Sequence, residues 1–163
     1  MDQGLRHHVE ARRVPALLIA FAACHGGGPN QDALGREANQ ALVEYRRVIT
    51  ADAPTFSDSL ISLTSHLVTG SSEAGAILQQ RVMPPLDRAI GAIDHAISAS
   101  DAYVATGVKI DTSTKTSLET LRRRSKALHQ LHDTLVKVHV PLTAEQGEAL
   151  QSAIASAGWA MVL

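Results

Sequence analysis

Aromatic side chains are scarce in this chain: two Phe, two Tyr and one Trp among 163 residues. So few rings leave little on which bases can stack, and a formal charge of −1 provides no attraction to phosphate. A nucleic-acid partner is not expected. Cysteine occurs once, at Cys24, which excludes an internal disulfide framework. Long apolar runs are missing too. Val14 to Ala23 (VPALLIAFAA) is an uncharged apolar run of ten residues, where a bilayer-spanning helix needs about 20. Period-two alternation of aromatic and β-branched residues is also lacking, which argues against an all-β fold.

What is present divides the chain in two. Hydrophobic residues make up 45% and charged ones 19%, with mean hydropathy of zero. That balance fits a globular domain and neither a disordered chain nor a polytopic membrane protein. Residues 1–13 carry Arg6, Arg12 and Arg13 against Asp2 and Glu10, and the short apolar run follows. A basic leader, a short apolar core and small residues at its end are the layout of a secretory signal peptide. Ala20-Phe21-Ala22 fits ordinary cleavage and a free secreted product; Arg12-Arg13, followed by Val14-Pro15, matches a twin-arginine signal poorly.

Phe21-Ala22-Ala23-Cys24 resembles the lipobox of bacterial lipoproteins, with Phe21 standing where the family usually has Leu. The resemblance covers about the first 30 residues and implies a diacylglyceryl group on Cys24. His25-Gly26-Gly27-Gly28-Pro29-Asn30 then reads as a flexible tether. Two or more acyl chains on one residue anchor stably where a single chain is marginal. The expected organisation is therefore a signal peptide over 1–23, a lipidated Cys24 with a tether over 24–30, and a folded domain over 31–163. The implied place is the bacterial cell envelope, facing the periplasm or the exterior. Removing Arg6, Arg12, Arg13, Asp2 and Glu10 from the 15 basic and 16 acidic side chains leaves a domain with net charge −2.

The remainder predicts an all-α, antiparallel bundle of four to five helices. Apolar residues recur at spacings of three and four in five segments. The first spans Gln31 to about Ala51, with Leu34, Ala38, Ala41, Tyr45 and Val48 as its stripe. The second begins after Pro54, where Thr55 and Asp58 suggest an N-cap, with Phe56, Leu60, Leu63 and Leu67 as its seam and Gly70 as its stop. The third starts near Ser72, breaks or kinks at Pro84-Pro85, and resumes through Leu86, Ile90, Ile93, Ile97 and Val104. Residues 105–116 read as the one substantial loop. The fourth runs Ser117 to His139 through Leu121, Leu128 and Leu135. The fifth opens with Thr143 and Gln146 in capping-box spacing and presents Leu150, Ile154, Ala157 and Met161.

Candidate chemistry is thin. His132 and His139 are seven apart on the fourth helix, hence about 20° apart around it, and His66 flanks the Leu63/Leu67 seam. Convergence of His66, His132 and His139 would suit Zn, Cu or Ni; hydrogen bonding to neighbours is the plainer use. No Glu-x-x-His pair, no His-Glu-x-x-His helix and no haem-attachment motif accompanies them. Asp87, Asp94 and Asp101 recur every seven residues, about 10 Å apart along a helix. That is too wide for one ion, so they read as a charged edge facing Arg122, Lys126 or Lys137. Arg122-Arg123-Arg124 has two readings, a docking patch for anions and a solvated surface, and its spread around the helix favours the solvated surface. No nucleophile motif or phosphate loop is found, so neither an enzyme nor a cofactor is expected.

The best candidate contact surface is C-terminal. Ser152, Ser156 and Ala160 are four apart, a smooth ridge with Trp159 near its end. Trp159 serves either as a contact hot spot or as a core anchor of the closing helix. The functional expectation is a lipid-anchored binding or structural adaptor attached through Cys24, with a protein partner. The alternative is a periplasmic metal- or small-ligand-binding bundle using the histidine edge.

Overall fold

The structure, a computed structural model, describes residues 29–139 and 142–158. The segment read as signal peptide, Cys24 and Gly-rich tether lies outside the described residues. Among the described residues there is no strand: the elements are α1 (Pro29–Val68), α2 (Ala74–Ile77), a π-helical turn (Leu78–Val82), α3 (Met83–Val104), α4 (Thr112–Val136) and α5 (Ala144–Gly158). Because α2, the π turn and α3 join through residues with helical φ and ψ, they form one rod. The all-α bundle is thus four rods. No described helix is long and apolar enough to cross a membrane.

Two expected helices are one. α1 passes through Pro54 without stopping. Its buried residues Leu42, Tyr45, Ile49, Phe56, Leu60, Leu63 and Leu67 keep a three-or-four spacing, with half-buried Ala53 bridging Ile49 and Phe56. Proline inside a helix costs about 3 kcal/mol, through a lost hydrogen bond and a clash with the carbonyl four residues back. Here both Pro54 and Thr50 are exposed, so that carbonyl faces water. Burying Phe56, Leu60, Leu63 and Leu67 contributes about 1.5–3 kcal/mol each, which outweighs the proline. Thr55 does not act as a cap; its carbonyl accepts the Ser59 hydroxyl at 2.7 Å within the continuing helix.

α1 ends where glycine was expected to end it. Gly70 has φ +67°, Ser71 N–H donates to the His66 carbonyl at 2.9 Å and Gly70 N–H to Leu67 at 3.3 Å, which is a Schellman motif. Pro84-Pro85 neither break nor stop the next rod. The turn before them widens, Met83 N–H bonding back to the Leu78 carbonyl five residues away, so both prolines fall in the first turn of α3, where missing N–H groups are tolerated.

α4 starts five residues before the expected Ser117, because Asp111 caps it: its carboxylate accepts Thr114 N–H at 2.7 Å. The loop shrinks to residues 105–111, and the helix ends at Val136 rather than His139. The Thr143/Gln146 capping box forms reciprocally, Gln146 N–H to Thr143 Oγ1 at 3.2 Å and Thr143 N–H to Gln146 Oε1 at 3.3 Å.

Successive rods are antiparallel. On α1 and the α2–α3 rod, Gly35 lies by Tyr103, Asp52 pairs with Arg88, and His66 faces Glu73 just before α2. Partner numbers on one fall as those on the other rise. Gly35 belongs there sterically, since a Cβ would sit 3.1 Å from the Tyr103 ring. On α3 and α4, Asp87 meets His132, Asp94 meets His129, and Asp101 meets Arg122. α5 packs chiefly on α4. One core runs through all four rods, with Ile93, Leu128, Leu131 and Leu135 fully buried at its centre.

Candidate functional site

An apolar groove of about 540 Å³ lies along the second half of α1, with α5 forming its other wall. Phe56, Leu60, Ile61 and Val68 face it from α1, and Ile154 and Gly158 from α5. Ile61 and Val68 are 68% and 77% exposed. Among the described residues no ionisable side chain lines it. Two of its hydroxyls are also spent on α1 itself: Thr64 donates to the Leu60 carbonyl at 2.8 Å and Thr69 to Ser65 at 3.1 Å. The groove thus makes few polar demands and favours apolar surface. Its sequence signal is faint, namely Ile61 and Val68 seven apart beside the main seam.

The heptad aspartates form the expected charged edge toward α4. Asp101 accepts from Arg122 Nη2 at 2.6 Å. Asp94 accepts from Ser125 Oγ at 2.6 Å and sits 2.8 Å from His129 Nε2, and Asp87 lies 3.5 Å from His132 Nε2. The second and third rungs thus end on histidines instead of Lys126 or Lys137. These groups are substantially exposed, so each pair contributes about 0–1 kcal/mol. Their main effect is register.

The arginine triplet divides three ways, correcting its reading as solvated surface. Arg122 is in the edge, Arg123 is exposed and 4.0 Å from Glu119, and Arg124 is buried at 6% exposure. Position 124 falls between Leu121 and Leu128 on the core seam, so burial follows from its phase. Its side chain hydrogen-bonds to Tyr45 of α1. Burial pushes the Tyr45 phenol above its ordinary value, and Arg124 partly counteracts that by favouring the phenolate.

The candidate metal histidines are placed apart. His66 Nδ1 lies 3.8 Å from Glu73, whereas His132 is beside Asp87 and Asp133. His132 stands level with Asp52 of α1, through Asp87 and its neighbour Arg88. His66 is therefore about 21 Å further along α1. His139 is exposed, beyond the end of α4. Among the described residues no three His, Cys, Asp or Glu side chains are grouped to hold a metal ion. In the candidate ridge Ser152 is exposed and Ser156 half-buried; Trp159 and Ala160 lie outside the described residues. No family model, curated protein or solved structure matches the chain.

Proposed function

We propose that this protein is a lipid-anchored module of the bacterial cell envelope, held through Cys24, whose helical bundle acts by binding a protein partner in the α1/α5 groove. The groove is the observation that carries the binding half of this reading. It is open, apolar and flanked by two exposed aliphatic side chains at heptad spacing, the kind of surface that soluble monomers seldom leave uncovered without a use. A helix presenting apolar side chains suits it best, because a helix satisfies its own backbone and the groove offers little else. The anchoring half rests on the lipobox resemblance and the Gly-rich tether.

Both halves are tested in one preparation. Mass spectrometry of membrane-purified protein should find an acylated Cys24 as the new N-terminus, and Cys24→Ser should release the domain or leave it unprocessed. Full-length protein in detergent-solubilised envelope should capture a partner that Ile61→Glu, at an exposed position, fails to capture with its helicity unchanged. An intact Met1 terminus would sink the anchor, and equal capture by Ile61→Glu would remove the groove from binding.

A further inference from the structure

Among the described residues four large hydrophobic side chains are exposed, Val43, Ile61, Val68 and Val136, and the first three belong to α1. Val43 and Ile61 are five turns apart, hence at the same angle around the helix, and Val68 falls within about 20° of them. Each follows a buried residue by one position, Leu42, Leu60 and Leu67, so the three form a second stripe about 100° round from the core. Arg47, Thr50, Pro54, Ser57 and Thr64 complete it in alternating steps of four and three, the repeat by which one helix seats another. From Ser57 to Val68 the stripe is also the α1 wall of the groove.

The stripe is its own complement. Turned about the point midway between Thr55 and Phe56, position 43 falls on 68, 47 on 64, 50 on 61 and 54 on 57. A two-fold dimer requires such a patch, because the same surface serves both copies. With the helices antiparallel, Val43 of each copy meets Val68 of the other, Thr50 meets Ile61, and Pro54 meets the small Ser57 beside the axis. Charge selects this direction. Parallel helices would set Arg47 against Arg47 on the seam, whereas antiparallel ones hold the two about 26 Å apart, beyond a Debye length of about 10 Å. Each Arg47 keeps its own Glu44, at 2.7 and 2.8 Å.

We infer that the partner in the α1/α5 groove is a second copy of this chain, with α1 against α1 antiparallel and residues 43–54 of each copy in the groove of the other. This rests on the groove-binding reading above and names its partner. The seam is about 38 Å long and about 10 Å wide, roughly 400 Å² of facing surface per copy, against about 800 Å² per partner in a standard interface. The dimer is therefore weak and reversible.

The test uses the full chain carrying Cys24→Ser, which leaves no native cysteine. Sedimentation equilibrium over a concentration series should show monomer and dimer in exchange. Ile61→Glu places a charge in the seam and should weaken the dimer by about tenfold or more, with helicity unchanged by circular dichroism. Val136→Glu, exposed on α4 and off the stripe, should leave the dimer as it was. Direction is read separately, because like positions 43 and 43, or 68 and 68, lie about 38 Å apart in the antiparallel pair. Mild oxidation should join chains carrying both Val43→Cys and Val68→Cys into a reducible dimer and leave each single-cysteine chain monomeric. A chain that stays monomeric up to about 1 mM, a dimer that Ile61→Glu leaves intact, or single-cysteine chains that cross-link as well as the double variant would overturn the inference. The capture experiment fails or succeeds separately: capture that Ile61→Glu abolishes, from a chain that stays monomeric, keeps the groove as a binding site and rejects only the second copy as its occupant.

Discussion

A guanidinium only 6% exposed inside a helical bundle has to find its compensation within the fold, and for Arg124 part of it comes from the Tyr45 hydroxyl. Tyr45→Phe keeps the ring and deletes that partner. Removing one partner of a buried charged donor costs about 1–3 kcal/mol, so thermal or urea unfolding should register a loss of that size. The same residue predicts an alkaline response. Its folded-state pKa is raised, mainly by burial, above the ordinary 10.0. Above that pH the unfolded chain ionises this phenol while the folded chain holds it neutral, so stability should fall as pH rises past about 10. Tyr45→Phe should flatten that slope; an unchanged slope would assign it to other groups.

At the scale of the element, local signals decide ends better than they decide continuity. Asp111 starts α4, and the Thr114 backbone N–H holds its carboxyl below the ordinary 3.8. A lowered carboxyl stabilises the fold fully above its unfolded value, and that contribution is lost as pH falls through the folded value. Asp111→Ala should lower the melting temperature at neutral pH and converge with the parent in acid. Pro54 is the converse case, a local stop signal that α1 overrides. Pro54→Ala supplies the missing N–H and removes the ring, and should stabilise the protein by about 1–3 kcal/mol. A loss of stability instead would mean that the packing of Phe56 and Leu60 requires the backbone geometry set by the proline.

For the whole molecule, one core joins rods whose neighbours in sequence are also neighbours in space. Ile93 and Leu128 are both fully buried at its centre, on α3 and α4. Each substitution by Ala should cost about 2–5 kcal/mol, measured on a chain starting near Pro29, which should be mainly helical by circular dichroism. Little change from either would mean that the centre of the core lies elsewhere. Summed over the α3/α4 edge, the Asp–Arg and Asp–His pairs add little stability. What they provide is alignment of two helices whose apolar faces alone would tolerate a slip of one heptad.

The helical class was legible in the spacing of Leu, Ile and Ala. So were the Thr143/Gln146 cap, the Gly70 stop and the carboxylate edge of Asp87, Asp94 and Asp101. Each of these depends on residues within one or two turns, where the chain's own geometry fixes who meets whom. The proposed envelope address rests on the lipobox resemblance in residues 1–30 of the sequence and on nothing in the fold. Tertiary structure decided the rest. Whether Pro54 divides a helix depended on the burial that Phe56, Leu60, Leu63 and Leu67 gain against other rods, a larger energy than any local preference. Whether Arg124 faced water depended on Tyr45, which is distant in sequence. The groove has the least local origin: its walls come from the second half of α1 and from α5, far apart in sequence, and how the two meet is set by packing across the bundle and written in neither helix by itself.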